Sequence, residues 1–145
     1  MTGLIVTRLD AGELGELAGA LSAAKLPIAD LGEPGLAFFR FADGAGLVGF
    51  AGLQGDGADR LLRSLVVAAD RRETGLGRPV LALLENVARV MGVKRLHLLT
   101  NTAAPFFRAN VYAVAYRGTA PALIAGSREF TALCPASAAY LVKAL

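Results

Sequence analysis

Apolar positions along this chain follow two rhythms, and the switches between them mark its elements. Short runs with β-branched or aromatic content predict strands over 4–9, 36–41, 47–53, 61–68, 95–100, 111–116 and 138–142. Between the first two runs, Leu14, Leu17, Ala18 and Leu21 recur at helical spacing. Asp10 is placed to cap that helix, with Glu13 three residues on in the capping-box position. Pro27 predicts its end near Lys25, and 25–35 reads as a loop or short helical turn. The dipeptides of Asp43-Gly44-Ala45-Gly46 and Gly55-Asp56-Gly57 predict hairpin turns. A second helix is predicted over 75–91, stopped by Gly92, with Val80, Leu83, Leu84, Val87 and Val90 as its apolar stripe. A short helix follows over 103–110, and 120–133 reads as helical or irregular.

The order strand, helix, three strands, helix, strand, helix, strand, strand predicts an α+β fold: one sheet flanked by helices. At 145 residues the chain reads as a single domain. No linker, repeat or low-complexity tract divides it.

One stretch carries candidate chemistry. The strand at 61–68 runs through a charged turn into Gly75-Leu76-Gly77 and then directly into the second helix. The first N–H groups of a helix have no partner inside it and carry partial positive charge. Glycines let such groups approach a phosphate closely. Arg71, Arg72 and Arg78 flank the turn and add full charges, so the segment reads as a pyrophosphate cradle. Pro79 falls in the first helical turn, where its missing N–H costs little. A Rossmann fingerprint fits less well, because the third glycine or alanine is missing and the turn is long and charged.

Composition narrows the class. Apolar residues make up 54% of the chain, which argues against disorder. No apolar run approaches the roughly 20 residues of a membrane helix. The N-terminus lacks the pattern of a signal peptide. The one cysteine, Cys134, excludes an internal disulfide and fits the cytoplasm; it reads as a small apolar side chain. The net charge of +3 is spread without a basic block, so nucleic acid is not an expected partner.

The hexapeptide Arg72-Glu73-Thr74-Gly75-Leu76-Gly77, set between Val66-Val67 and a helix, resembles the cofactor motif of the GNAT superfamily of N-acetyltransferases. Thr100, Ala103, Phe107 and Tyr112 continue the resemblance, which covers nearly the whole chain. The strings LLRSLVV, LLTNTA followed by FF, and REFTALCPASA are similar to the small N-acetyltransferases associated with arsenic resistance.

This resemblance implies a mixed, mostly antiparallel seven-stranded sheet whose fourth and fifth strands splay apart. Acetyl-CoA would lie in that cleft as co-substrate, with no metal. Backbone groups of Leu65, Val66 and Val67 would pair with the pantetheine arm. One of their N–H groups would polarise the thioester carbonyl. Arg72, Glu73, Thr74, Gly75, Leu76, Gly77 and Arg78 would hold the pyrophosphate. The acceptor would be the primary amine of a small polar molecule such as arsinothricin or phosphinothricin. Dimers are common in the family, and the apolar C-terminal strand is the expected joint.

The chain departs from the family at the proton-transfer positions. Where many relatives place Glu on the fourth strand it has Leu62, Arg63 and Ser64, and where many place Tyr after the fifth strand it has Phe107. No catalytic residue transfers directly; Tyr112 and Tyr116 are the candidates. Arg63 either faces solvent or pairs structurally, or it points into the cleft and grips an acidic group of the acceptor, and alternation cannot fix which without a register. Arg40 poses the same question. Asp30 and Glu33, in the loop over the acceptor side, are candidates to hold the amine. His97, alone on an apolar strand, reads as structural. Phe106 and Phe107 read as core or cleft wall. Two other readings stay open: a non-catalytic acyl-CoA sensor, which the missing Glu and Tyr keep in play, and a protein-amine acetyltransferase.

Overall fold

The computed structural model describes residues 3–26, 28–29, 31–32, 35–72, 74–127, 130–131 and 138–145. Asp30, Glu33, Glu73 and Cys134 lie outside the described residues, as does most of the 128–138 string. The strands are β1 (Ile5–Arg8), β2 (Leu36–Asp43), β3 (Gly46–Asp56), β4 (Asp59–Val67), β5 (Arg95–Thr100), β6 (Ala113–Val114) and β7 (Ala139–Ala144). The helices are α1 (Leu14–Ala23), α2 (Gly77–Val90), α3 (Ala104–Ala109) and α4 (Ala122–Ala125). The strands form one seven-stranded sheet in the order β1-β2-β3-β4-β5-β7-β6. Every neighbouring pair is antiparallel except β4 and β5, which run parallel.

Both faces of the sheet are covered, which explains why β2 reads as a nearly continuous apolar run. Successive side chains of a strand point to opposite faces. Phe38 joins Leu17 and Leu21 of α1, together with Phe50 and Val66. Ala37, Phe39 and Phe41 join Val80, Leu81 and Leu84 of α2 on the other side. Arg40 falls on the α1 face, where its Nε donates to Glu16 of that helix at 3.0 Å. It lines neither lobe of the cleft beside β4. The predicted capping box is present, at the 3-10 turn that leads into α1: the Asp10 side chain accepts from the Glu13 backbone, and the backbone N–H of Asp10 donates to the Glu13 carboxylate at 2.8 Å.

Several expected boundaries move. α2 begins at Gly77, because Gly75 is left-handed (φ +78°) and cannot be a helical residue. Its buried stripe is Val80, Leu81, Leu84, Glu85 and Ala88, while Val90 is 89% exposed. Leu83 and Val87 only flank the core. The expected strand over 111–116 shortens to Ala113–Val114, since Val111 is left-handed (φ +76°). The C-terminal strand β7 is not an edge. It pairs with β5 on one side and β6 on the other, so it has no free ladder to offer a second chain. No helix among the described residues is long and apolar enough to cross a membrane.

Two features of β4 give the cleft its form. Its parallel pairing with β5 covers only Asp59, Arg60 and Leu61, opposite Arg95, Leu96 and His97. Beyond Leu61 the strands part, as the resemblance implies. Against β3, Gly52 stands opposite Arg63 and Phe50 opposite Val66, so Ser64 and Leu65 together face the single residue Ala51. This is a bulge, which bends a strand and strengthens its twist. Ser64 takes the left-handed conformation there (φ +59°). Nearby, β3 approaches so closely that a Cβ on Gly49 would stand 2.2 Å from the Val66 carbonyl oxygen.

Candidate active site

The parting of β4 from β5 opens a cleft with two connected lobes. The smaller, of about 390 Å³, is walled by the end of β4, the turn before α2 and the first residues of α3. The larger, of about 1030 Å³, runs from the end of α1 past β4 to the end of β5. Leu65, Val67, Arg72, Ala103 and Phe107 line both lobes, which makes them one groove.

The smaller lobe is built around the start of a helix. The chain leaves β4 at Val67, makes a 3-10 turn over Ala69–Arg71 and reverses through the left-handed Gly75. This aims the N-terminus of the 14-residue helix α2 into the lobe. Gly75, Leu76, Gly77 and Arg78 line it. A Cβ on Gly77 would stand 3.4 Å from the Phe106 ring, so its hydrogen keeps the floor open. The opposite wall is apolar: Leu65, Val67, Ala103, Phe106 and Phe107.

The flanking arginines divide their roles. Arg71 is committed to structure: its guanidinium binds both carboxylate oxygens of Asp43 and donates to the Leu47 carbonyl at 3.4 Å. That ion pair holds the Asp43 carboxyl below its usual range and raises the arginine. It ties the β2–β3 hairpin to the turn before α2. Arg72 donates its Nε–H to the Val67 carbonyl at 3.1 Å and lies at the junction of the lobes. Thr74 lines neither lobe, and its hydroxyl donates to the Arg71 carbonyl.

The larger lobe is more polar. Arg63 is 2% exposed; its Nε–H donates to Ser64 Oγ at 3.1 Å, and its guanidinium lies 5.9 Å from the Phe38 ring centroid. Arg63, Ser64 and Val66 line the lobe, as do Lys25, Thr100 and Asn101. Thr100 also fixes the entry to α3 by accepting from the Ala103 N–H at 3.0 Å. Among the described residues lining the two lobes, the charged side chains are Lys25, Arg63, Arg71, Arg72 and Arg78, and none is acidic.

The tyrosine candidates lie elsewhere. Tyr112 is 3% exposed and donates its hydroxyl to Glu85 Oε2 at 2.8 Å, under α2. Burial and the adjacent carboxylate push this phenol well above its usual range. Lys143 completes the cluster, with its ammonium 3.0 Å from both Glu85 oxygens. Tyr116 is 81% exposed. Neither tyrosine lines a lobe. His97 belongs to a separate network below the split. It bonds Tyr140 Oη at 2.6 Å through Nδ1 and Asp59 Oδ1 at 2.7 Å through Nε2. Asp59 also holds Arg95 through two bonds, of 2.7 and 2.9 Å. The structural reading of His97 agrees with this placement.

Sequence reasoning passed over Ser64. Its signal was a hydroxyl beside an arginine in an otherwise apolar strand, but the left-handed turn that aims it depends on the register with β3.

Comparisons with known proteins agree with this fold. Residues 8–111 match the model of the acetyltransferase (GNAT) family. No curated protein is similar enough in sequence to match. Among solved structures, N-acetylglutamate synthase from Neisseria gonorrhoeae, complexed with coenzyme A and L-arginine, superposes with a TM-score of 0.78 at 18% identity. All of this chain is covered there but only 34% of that one, so the chain spans about a third of the synthase. A GNAT-family acetyltransferase from Staphylococcus aureus gives 0.74 at 16% identity, covering 98% of this chain and 99% of that one. An aminoglycoside 6'-N-acetyltransferase complexed with coenzyme A gives 0.69 at 15%, covering 97% and 96%. At these identities the likeness is one of fold.

Proposed function

The chain belongs to the acetyltransferase (GNAT) family, and from that premise we propose that it transfers an acetyl group from acetyl-CoA to the primary amine of a small polar molecule. One observation carries the reading: a continuous groove over the split between β4 and β5, with the N-terminus of α2 at one end and a polar lobe at the other. The pyrophosphate belongs at 72–78, on Gly75, Leu76, Gly77 and Arg78, with Arg72 beside it. The pantetheine arm would run along Leu65, Val66 and Val67, whose outer edge has no partner strand once β5 has turned away. The thioester then enters the larger lobe, where the acceptor waits.

The amine nitrogen attacks the thioester carbonyl carbon and forms the C–N bond. The carbonyl electrons move onto oxygen, and their return breaks the C–S bond and expels the CoA thiolate. The ammonium proton goes to water. What the chain supplies is mainly position: two reactants held in one groove are worth several kcal/mol of barrier.

For the acceptor, the cationic lining of the larger lobe supports a molecule carrying an acidic group, with Arg63 as its contact. An arsenic-containing amino acid or a phosphinothricin-like analogue fits that description. Asp30 and Glu33 remain candidates to hold the amine. We also infer a cytoplasmic setting, which the lone cysteine supports, and a homodimer. The edge strand β6, with Val111 and Val114 exposed beside it, supports the dimer, and light scattering tests it.

Release of CoA thiol from acetyl-CoA, with and without arsinothricin, phosphinothricin, amino acids and polyamines, tests the proposal. Acceptor-dependent release supports it, and the best acceptor names the substrate class. Tight binding of acetyl-CoA with no release for any acceptor refutes it in favour of an acyl-CoA sensor. Cys134 requires a control, because it can consume thiol reagent once per chain.

A further inference from the structure

Resting on the acetyltransferase reading, we propose that Ser64 is a catalytic residue: its hydroxyl donates a hydrogen bond to the thioester carbonyl oxygen and to the oxyanion that forms there. Three features point to it. The first is backbone geometry. Ser64 holds φ at +59°, a conformation that non-glycine residues seldom adopt and that strains the backbone. It does so inside the bulge, where two residues of β4 answer one of β3.

The second is location. Ser64 is 8% exposed and lines the larger lobe, three residues past Leu61, the last β4 position paired with β5. It immediately precedes Leu65, where the proposed path of the pantetheine arm, coming from Val67, ends. A carbonyl at the end of that arm comes within reach of the bulge.

The third is the direction of its proton. A serine hydroxyl has one proton to donate and lone pairs that accept. Here the oxygen accepts the Nε–H of Arg63 at 3.1 Å. That bond comes from a cation, so it polarises the O–H and makes it a stronger donor. Among the described residues no acceptor takes the Ser64 proton, which leaves it for a group in the lobe. During reaction the proton stays on serine. The C–N bond forms, charge gathers on the carbonyl oxygen under the O–H and a strand N–H, and the C–S bond breaks as that charge returns.

Ser64→Gly separates chemistry from folding, because glycine accepts φ +59° without strain. Its melting temperature should equal or exceed that of the wild type. Its kcat should fall about 100-fold, as when one oxyanion donor is removed, with the Kd for CoA within about twofold (a bound). Ser64→Ala should lose kcat equally and also melt lower. A second readout needs no acceptor. In acetyl-CoA labelled with carbon-13 at the carbonyl, the infrared carbonyl stretch of the bound thioester should lie at higher frequency in Ser64→Gly than in the wild type. An active wild type, with both kcat and the carbonyl band unchanged in Ser64→Gly, overturns the proposal alone. A wild type that binds acetyl-CoA but acetylates nothing overturns the acetyltransferase reading and the catalytic role with it.

Discussion

Placing a carboxylate at Gly77 separates the anion cradle from the fold that carries it. Gly77 is the first residue of α2 and lines the smaller lobe. A Cβ there would meet the Phe106 ring at 3.4 Å, a contact that a small shift of that side chain absorbs. Gly77→Ala should therefore weaken CoA binding only a few-fold. Gly77→Glu adds a negative charge where the pyrophosphate is expected. At a separation of about 5 Å and an effective dielectric of about 20, one pair of unit charges repels by about 3 kcal/mol. That converts to roughly a 200-fold loss of affinity, and more if both phosphates face the new charge. The fold should not suffer, because an acidic residue in a first helical turn is favourable by a few tenths of a kcal/mol. Calorimetric titration with CoA near physiological salt, beside a thermal melt, reads both quantities. Affinity within about twofold of the wild type in Gly77→Glu would refute the cradle, since a carboxylate beside a bound pyrophosphate must repel it.

Other outcomes are expected from the same structure. Arg63→Ala should raise KM for an acidic acceptor far more than for acetyl-CoA; an unmoved acceptor KM rules out Arg63 as the acceptor's contact. Tyr112→Phe removes a hydrogen bond to buried Glu85 and should cost about 1 kcal/mol in urea unfolding, with kcat within about twofold of the wild type. Lys143→Met leaves the 5%-exposed Glu85 without its ammonium and should cost about 3 kcal/mol, most of which Glu85→Leu in the same chain should restore. Asp59, held mainly by Arg95 and also by His97, has its carboxyl lowered to about 2. A depressed carboxyl contributes stability above its unfolded value, near 3.9, that is lost as pH falls toward 2. Melting temperature should therefore drop through that window in the wild type and much less in Asp59→Asn.

The sequence made the elements legible where one rhythm held for several residues. The apolar runs of β2 to β5 and the helical spacing of α2 are of this kind, and so is the glycine turn between them. It was less informative wherever a partner distant in the chain decides. Glu85 looks like a surface residue until Lys143, 58 positions away, and Tyr112 enclose it. Val90 falls on the apolar side of a helical wheel, but the buried stripe of α2 runs through Val80, Leu81, Leu84, Glu85 and Ala88 and leaves it exposed. β6 carries residues fit for a longer strand, yet the left-handed Val111 and the register with β7 leave only two of them paired. In the site, the cofactor end was readable because the motif is local. The acceptor end was not, because the register against β3 and the parting from β5 decide which way Arg63 and Ser64 face.

The most direct test of acetyl transfer is to supply acetyl-CoA labelled with carbon-13 in the acetyl group and follow the label by mass spectrometry and NMR. The label should appear in amide linkage on the nitrogen of a small amine in the wild type, and Gly77→Glu should form almost none. Label that stays on CoA with every amine offered, in a wild type that binds acetyl-CoA, would contradict the transfer.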